Sequence, residues 1–540
     1  MKKILLAIGL VSLLFLGCPN EIELVAIKVT ANKVDYTVGE SIAPSDIEVV
    51  ATYNDGTSKV VRDYTVTPST FSEVGTISVT VTYTEKGVVK EANYSVVVAE
   101  EYTLTIHMLP AANIRPKLDK LGIGTDATEF RFTDTPPNDS VTKVRLSTEA
   151  ENETPCWAWR EGTIIYCYAK SYTDKGKKLP LETASSLFSD CKNLEAIDLR
   201  FFDTSKCTSM SSMFKNCKKV KILDVTGFDT GNVTDFSQMF NGCEMLEAVD
   251  VSNFDTKSVT KGTKPLAYPV SGYCAMFRDC KALKSVDIIN FDTSKNPSMN
   301  NMFMNCFSLT SFRKQDVTKG FKPSYMEYMF YGCSSLTGNW DFNGEWFDTS
   351  LVTSMEGLFQ KCSKLETLNL DYWDVSKVTT MKNMFAQCSK LSSPWSFSGG
   401  DWDTSKVTDM SGMFAACFAL DYVDSNLAYF NTSSVTNMHE MFWVCSSLSE
   451  LDLSKWDISK VTDMAHMFQN CENLTKIYAA KNSVWKNLAT NLTDSKDMFS
   501  GCTKLVGKDA YDANYPNDIT QARTFTGNTY ANEYAYFTGE

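Results

Sequence analysis

MFKNCKKVKILDVTGFDTGNVTDF, running from Met213 to Phe236, is one copy of a unit that returns throughout the C-terminal part of the chain. Its general form is M-F-x-x-C-x-x-L-x-x-L-D-L-S-x-F-D-T-S-x-V-T-x-M. Twelve cysteines stand three residues after a phenylalanine: Cys191, Cys217, Cys243, Cys280, Cys306, Cys333, Cys362, Cys388, Cys417, Cys445, Cys471 and Cys502. Each is followed three positions on by an apolar side chain, from Leu194 and Val220 to Leu474 and Leu505. A period in the mid-twenties with leucines at fixed offsets predicts a solenoid, in which a short strand and a return arc are unstable alone but bury a continuous core by stacking. The LDL, LDV and VDV segments are the expected strands. The long stretch between Asp255 and Cys280 carries extra proline and glycine and is expected to protrude as a loop.

Composition narrows the function classes. The chain has 540 residues, 43% of them hydrophobic, which is enough for several packed units and too apolar for general disorder. A net charge of -13 repels phosphate backbones and anionic headgroups, arguing against a nucleic-acid partner. Only 3 histidines are available for a Ser-His pair or a multi-His metal site. His439 and His466 fall on successive repeats at different offsets, a weak basis for a metal centre. No cofactor and no enzymatic activity are expected.

Upstream of the repeats lie three further regions. Residues 1–17 pair Lys2 and Lys3 with an apolar run ending at Gly17-Cys18, the form of an export signal. Residues 23–99 alternate valine, isoleucine, threonine and tyrosine with polar residues, and VVATYNDGTSKVV and TISVTVTYTEKGVVKEANYSVVV read as hairpins around Asn54-Asp55-Gly56 and Lys86-Gly87. Seven or so short strands there suggest a β-sandwich. Residues 101–183 form a β-rich connector and N-terminal cap to the repeats of 184–506, with 507–540 as the C-terminal cap. In CWAWREGTIIYC, a two-residue turn at Glu161-Gly162 sets Cys156 directly opposite Cys167, close enough for a disulfide in an oxidising compartment. GIGTDA at Gly122 to Ala127 lacks the third glycine of a dinucleotide loop and reads as a turn.

Three resemblances follow from these residues. LFLGC resembles a bacterial lipobox, which implies acylation of Cys18 as the new N-terminus. VTANKVDYTVGE and YNDGTSK resemble bacterial Ig-like domains, whose members serve as spacers. The F-x-x-C-x-x-L repeats, with F-D-T-S-x-V-T-x-M-x-x-M-F between them, resemble the leucine-rich repeats of BspA-like surface proteins. The closing ITQARTFTGNTYANEYAYFTG resembles that family's terminal segment. The fold expected is therefore mostly β, an Ig-like β-sandwich followed by a leucine-rich-repeat solenoid of about 12 coils. The resemblance implies a lipid-anchored, surface-exposed adhesin of the bacterial envelope that binds host matrix or cell-surface macromolecules or other bacteria. The alternative is an exported glycan-binding or glycan-degrading protein.

Repeated residues have a structural and a functional reading each. The motif cysteines read as an inward ladder of buried thiols, with bridges between neighbours or a metal as the alternatives. Cys274, inside the insertion, is an odd thiol that could be exposed. Trp373, Trp402 and Trp456 are stacked core aromatics or a carbohydrate platform. The D-T-S aspartates cap turns or line a calcium ladder. Asp198, Asp224, Asp250, Asp287, Asp424 and Asp452 all lie seven residues after a motif cysteine, between two inward residues of a strand. Period-two alternation points them outward, as a row that keeps the sheet soluble or docks a basic partner along a face about 60 Å long.

Overall fold

A computed structural model describes residues 21–99, 106–149, 154–170, 178–259, 271–288, 290–295, 297–312, 321–337, 347–392, 402–423, 427, 430–479, 492–505 and 537–539. The chain forms two compact units, Met1–Leu104 and Thr105–Glu540. It is mostly β with one helix among the described residues.

The first unit has seven strands: β1 (Leu24–Ala31), β2 (Asp35–Thr37), β3 (Ile47–Tyr53), β4 (Ser58–Val61), β5 (Tyr64–Thr67), β6 (Gly75–Glu85) and β7 (Val88–Ala99). They make two sheets, β1-β3-β4 and β2-β7-β6-β5. Alternation supplies the core, with Val49, Ala51, Val79, Val81, Val96 and Val98 pointing inward and their neighbours outward. Both expected hairpins are present. Glu85 pairs with Val88 across Lys86-Gly87, and both turn residues have positive φ, +47° and +83°, as a type I′ turn requires.

The second unit opens with the helix, α1 (Ala111–Asp119), in a region expected to be β-rich. Ala111, Ile114 and Leu118 are its buried residues, an i, i+3, i+7 stripe that lies on the helical period and packs against the cap. Next come β8 (Glu129–Phe132), β9 (Lys143–Arg145), β10 (Cys156–Glu161) and β11 (Ile164–Ala169). These join β13 (Ala196–Ile197) of the first repeat in one sheet of order β13-β8-β11-β10-β9. The β10/β11 register differs from the sequence expectation. Cys156 pairs with Ala169, Ala158 with Cys167 and Glu161 with Ile164, so the turn is Gly162-Thr163. The reason is local: a type II′ turn needs positive φ at its first central residue, and Gly162 takes +59° there.

Beyond β13, successive repeats pair in parallel. The short strands β12 (Leu179–Pro180) and β14 (Phe202–Asp203) pair near the start. Then β15 (Ile222–Leu223), β16 (Ala248–Val249), β17 (Ser285–Val286) and β18 (Ser311–Phe312) form one four-stranded sheet. A second sheet holds β19 (Tyr422–Val423), β20 (Glu450–Leu453), β21 (Lys476–Ala479) and β22 (Phe537–Gly539). Residues 313–320, 338–346 and 393–401, between these two rows, lie outside the described residues. The closing segment contributes β22, beside β21.

The return arcs are more regular than the strands. Two residues per arc, five and one positions before the motif cysteine, take left-handed backbone, as Ser212 (φ 57°) and Asn216 (φ 59°) do. The Lys215 and Cys217 N–H groups close turns onto Ser212 and Phe214, while the Phe214 and Asn216 N–H groups donate to Met239 and Asn241 of the next repeat. Alternate amides therefore tie the arc to itself and to its neighbour, which leaves the arc's backbone satisfied. Inside, Phe188 to Phe499 stack with centroids 5.4 to 5.9 Å apart. One apolar cluster runs from Ile106 to Leu505, so cap and repeats share a core.

Candidate interaction surface

The motif cysteines are buried, and each has a fixed partner. Cys217 donates its S–H to the Phe188 carbonyl of the preceding repeat at 3.1 Å, and the same bond recurs at each later step to Cys502 and Phe468 at 3.0 Å. Burial pushes the thiols up, Cys243 and Cys388 to about 12. A thiol so far from its thiolate is a poor ligand and a poor nucleophile, which leaves these residues a structural role. Cys207 bonds the Leu181 carbonyl in the same manner. Cys274 is buried at 5% exposure rather than exposed, because it lies on the described arc after the insertion, within the rung that bonds Gln238. The insertion itself, 260–270, lies outside the described residues.

The tryptophans are core. Trp373 and Trp456 are among the largest fully or nearly buried side chains, and Trp402 is 8% exposed. Trp456 Nε1 donates to the Leu427 carbonyl at 2.8 Å, and Trp373 stacks on Phe347 at 5.4 Å. Their faces are covered by neighbouring repeats, which removes the carbohydrate platform.

The D-T-S aspartates are turn caps. Asp203, Asp229, Asp348, Asp374, Asp403 and Asp457 each accept the N–H two residues on, at 2.9 to 3.1 Å. The following threonine is buried and reaches across to the next repeat, as Thr204 does to the Asp229 carbonyl at 2.8 Å. The threonine of V-T makes a second such ladder along Thr379, Thr408, Thr436, Thr462 and Thr493. No group of three or more metal-binding side chains occurs among the described residues. His439 and His466 do meet, edge to face with centroids 5.5 Å apart, and His439 Nδ1 lies 3.3 Å from Asp463.

The aspartates seven after the cysteine behave as the alternation predicts in the first strand row. Leu223 and Val225 are buried while Asp224 between them is exposed, and Asp250 stands likewise between Val249 and Val251. Each is also held. Asp224 Oδ1 accepts the Thr226 N–H and hydroxyl at 3.1 and 2.6 Å, and Asp250 Oδ1 accepts those of Ser252 at 3.0 and 2.6 Å. These bonds keep both carboxyls below the ordinary carboxylate range, with the side-chain hydroxyl the larger cause. Asp198 is different. It is half-buried, accepts the Phe132 N–H of the cap, and is bound by Arg200 at 2.8 Å. Burial raises its carboxyl, but Arg200 more than offsets this and the net shift is downward. Asp287 and Asp452 are half-buried, and Asp424 lies outside the described residues. Asp224, Asp250 and Asp287 follow strands of the first row, Asp198 follows β13 in the cap sheet and Asp452 lies on β20 of the second row, with Asp224 and Asp250 the most exposed adjacent pair.

Two further rows flank that pair and were not singled out in the sequence. Ile222, 77% exposed, stands in the first strand row paired with the exposed Ala248. Next to these, Glu244 receives both Lys218 and Lys281 at 2.7 and 2.8 Å, and Lys284 pairs with Glu247 at 2.7 Å. Three lysines share two glutamates of neighbouring repeats, whereas Asp224 and Asp250 are held by hydroxyl and backbone N–H groups rather than by a cation. A hydrophobic side chain left outward in a recurring slot was the available signal, but one isoleucine among small residues does not stand out in a repeat consensus.

Comparison with known families covers both units. A model described as Mycoplasma protein of unknown function, DUF285, matches residues 182–268, 267–342, 324–422 and 397–511, together more than half of the chain. Residues 29–98 match the bacterial Ig-like domain (group 3). No curated protein matches the chain. The two matches support a bacterial surface protein.

Proposed function

The chain belongs to the DUF285 family, and we propose that it is a cell-surface adhesin or protein-interaction scaffold whose repeats form a leucine-rich-repeat solenoid. In this reading Cys18 carries the lipid that holds the protein on the envelope, the Ig-like unit is a spacer, and no step of chemistry is performed. The partner is a host matrix or cell-surface protein, or another bacterial surface, with lysine or arginine at its contact.

The observation that carries the reading is the first strand row, where ionised Asp224 and Asp250 stand beside outward Ile222. Exposed apolar area beside a fixed, unneutralised charge is the composition of a docking patch rather than of a solubilising face. Repetition also weighs against catalysis, since the same acids recur on the same scaffold from repeat to repeat and no unique constellation is distinguished. With the tryptophans buried, glycan binding through stacked indoles has no observation in its favour.

Binding of the mature chain to immobilised matrix proteins, compared with Asp224→Lys/Asp250→Lys, tests this. A loss of tenfold or more in affinity at moderate salt is expected, about 1.4 kcal/mol. Equal binding by the double variant would refute the role of this row.

A further inference from the structure

We propose that Cys156 and Cys167 are a disulfide-forming pair, and that the cysteines of the repeat ladder remain thiols in the same molecule. The proposal is independent of the docking reading.

The two Sγ atoms lie 3.5 Å apart with both side chains fully buried. They sit on adjacent strands of one hairpin, obliquely rather than face to face. Cys156 is opposite Ala169, and Cys167 is opposite Ala158. Those alanines matter, because each sets only a methyl group directly across from a cysteine and lets the two sulfurs lean toward one another. Closure to a bond of about 2.05 Å needs side-chain rotation and a small shear of the hairpin. The ladder offers no such pair. From Cys217 to Cys502 each sulfur is directed at the carbonyl of the phenylalanine in the preceding repeat, as Cys333 is at Phe303 and Cys445 at Phe414, both at 3.1 Å.

Burial also fixes when the bond forms. No oxidant reaches either sulfur once α1 and the repeats cover the hairpin, so closure belongs to folding, while β10 and β11 are still open to solvent. The oxidant is a second disulfide, that of a thiol–disulfide oxidoreductase or of oxidised glutathione. One cysteine, as thiolate, attacks a sulfur of that disulfide and expels the other as a thiolate. The second cysteine thiolate then attacks the mixed disulfide and releases the remaining sulfur. Two electrons pass from the cysteines to the oxidant, which leaves as a dithiol or two thiols, and the two cysteine protons are taken up by the departing thiolates.

The test is peptide mapping of the full chain after folding with oxidised glutathione, then unfolding in guanidinium with an alkylating reagent and no reductant. The expected result is one cross-linked species joining the peptides of Cys156 and Cys167, lighter than their reduced sum by two hydrogen atoms, with every ladder cysteine alkylated. The unfolding midpoint of the wild type should also rise on oxidation, and that of Cys167→Ser should not. Full alkylation of Cys156 and Cys167, or a cross-link within the ladder in their place, overturns the proposal.

Discussion

Cys333 donates to the Phe303 carbonyl at 3.1 Å, and that carbonyl also accepts the Cys306 N–H at 3.1 Å. The sulfur therefore fastens one repeat to the turn of another, a task an alanine or valine cannot perform and a bulkier donor could not reach. Replacing it by alanine removes a hydrogen bond and a buried sulfur's contacts. Cys333→Ala should lower stability by about 2 kcal/mol in guanidinium unfolding. The left-handed positions give the opposite sign. Glycine occupies the slot before the cysteine at Gly242, Gly332 and Gly501, whereas Val444 holds φ +56° there with a branched side chain. Val444→Gly relieves steric cost and should stabilise by about 1 kcal/mol in the same assay. Asp126 illustrates the acid limit. Bonds from Arg160 and Thr125 hold its carboxyl down at about 2, below its unfolded value, so its contribution is present above pH 4 and lost as pH falls toward 2. Asp126→Asn should flatten that part of the acid-unfolding curve.

At the scale of elements, turn chemistry decided the one register that went astray. The β10/β11 hairpin places Gly162 first in its turn, moving every partner two residues from the Glu161-Gly162 alternative while keeping both cysteines on one face. Because side chains alternate with period two, a slip of two preserves the face and changes only the neighbours. The phenylalanine stack is the most uniform element of all, with rings at 5.7 to 5.8 Å on both sides of Phe385. Phe385→Ala should cost about 3–5 kcal/mol and leave a cavity between two rungs. In a stack where each repeat touches only its neighbours, the loss should split thermal unfolding into two transitions rather than lower a single one. A single shifted transition would show that the repeats are coupled over longer range.

For the whole molecule, the cap is what starts the stack. Strand β8 pairs with β13, Phe130 packs on Phe188 and Phe202, and the apolar cluster passes from Ile106 into the repeats without a break. Deleting residues 105–183 exposes Leu187, Phe188 and Cys191 together, so the repeats alone should aggregate or bind a hydrophobic dye while the full second unit does not. The sequence by itself determined the repeat register, the inward ladders of cysteine and phenylalanine, the bacterial Ig-like domain and the outward placement of Asp224 and Asp250, because each follows from a local pattern. Tertiary structure decided what period cannot carry. It showed which turn sets the cap hairpin, that α1 exists, that the tryptophans are covered, that Cys274 is buried, and that Asp198 is neutralised by Arg200 while Asp224 and Asp250 remain charged. Those outcomes depend on what the neighbouring repeat places against each side chain, and a contact between residues 26 or more apart has no signature in either residue alone.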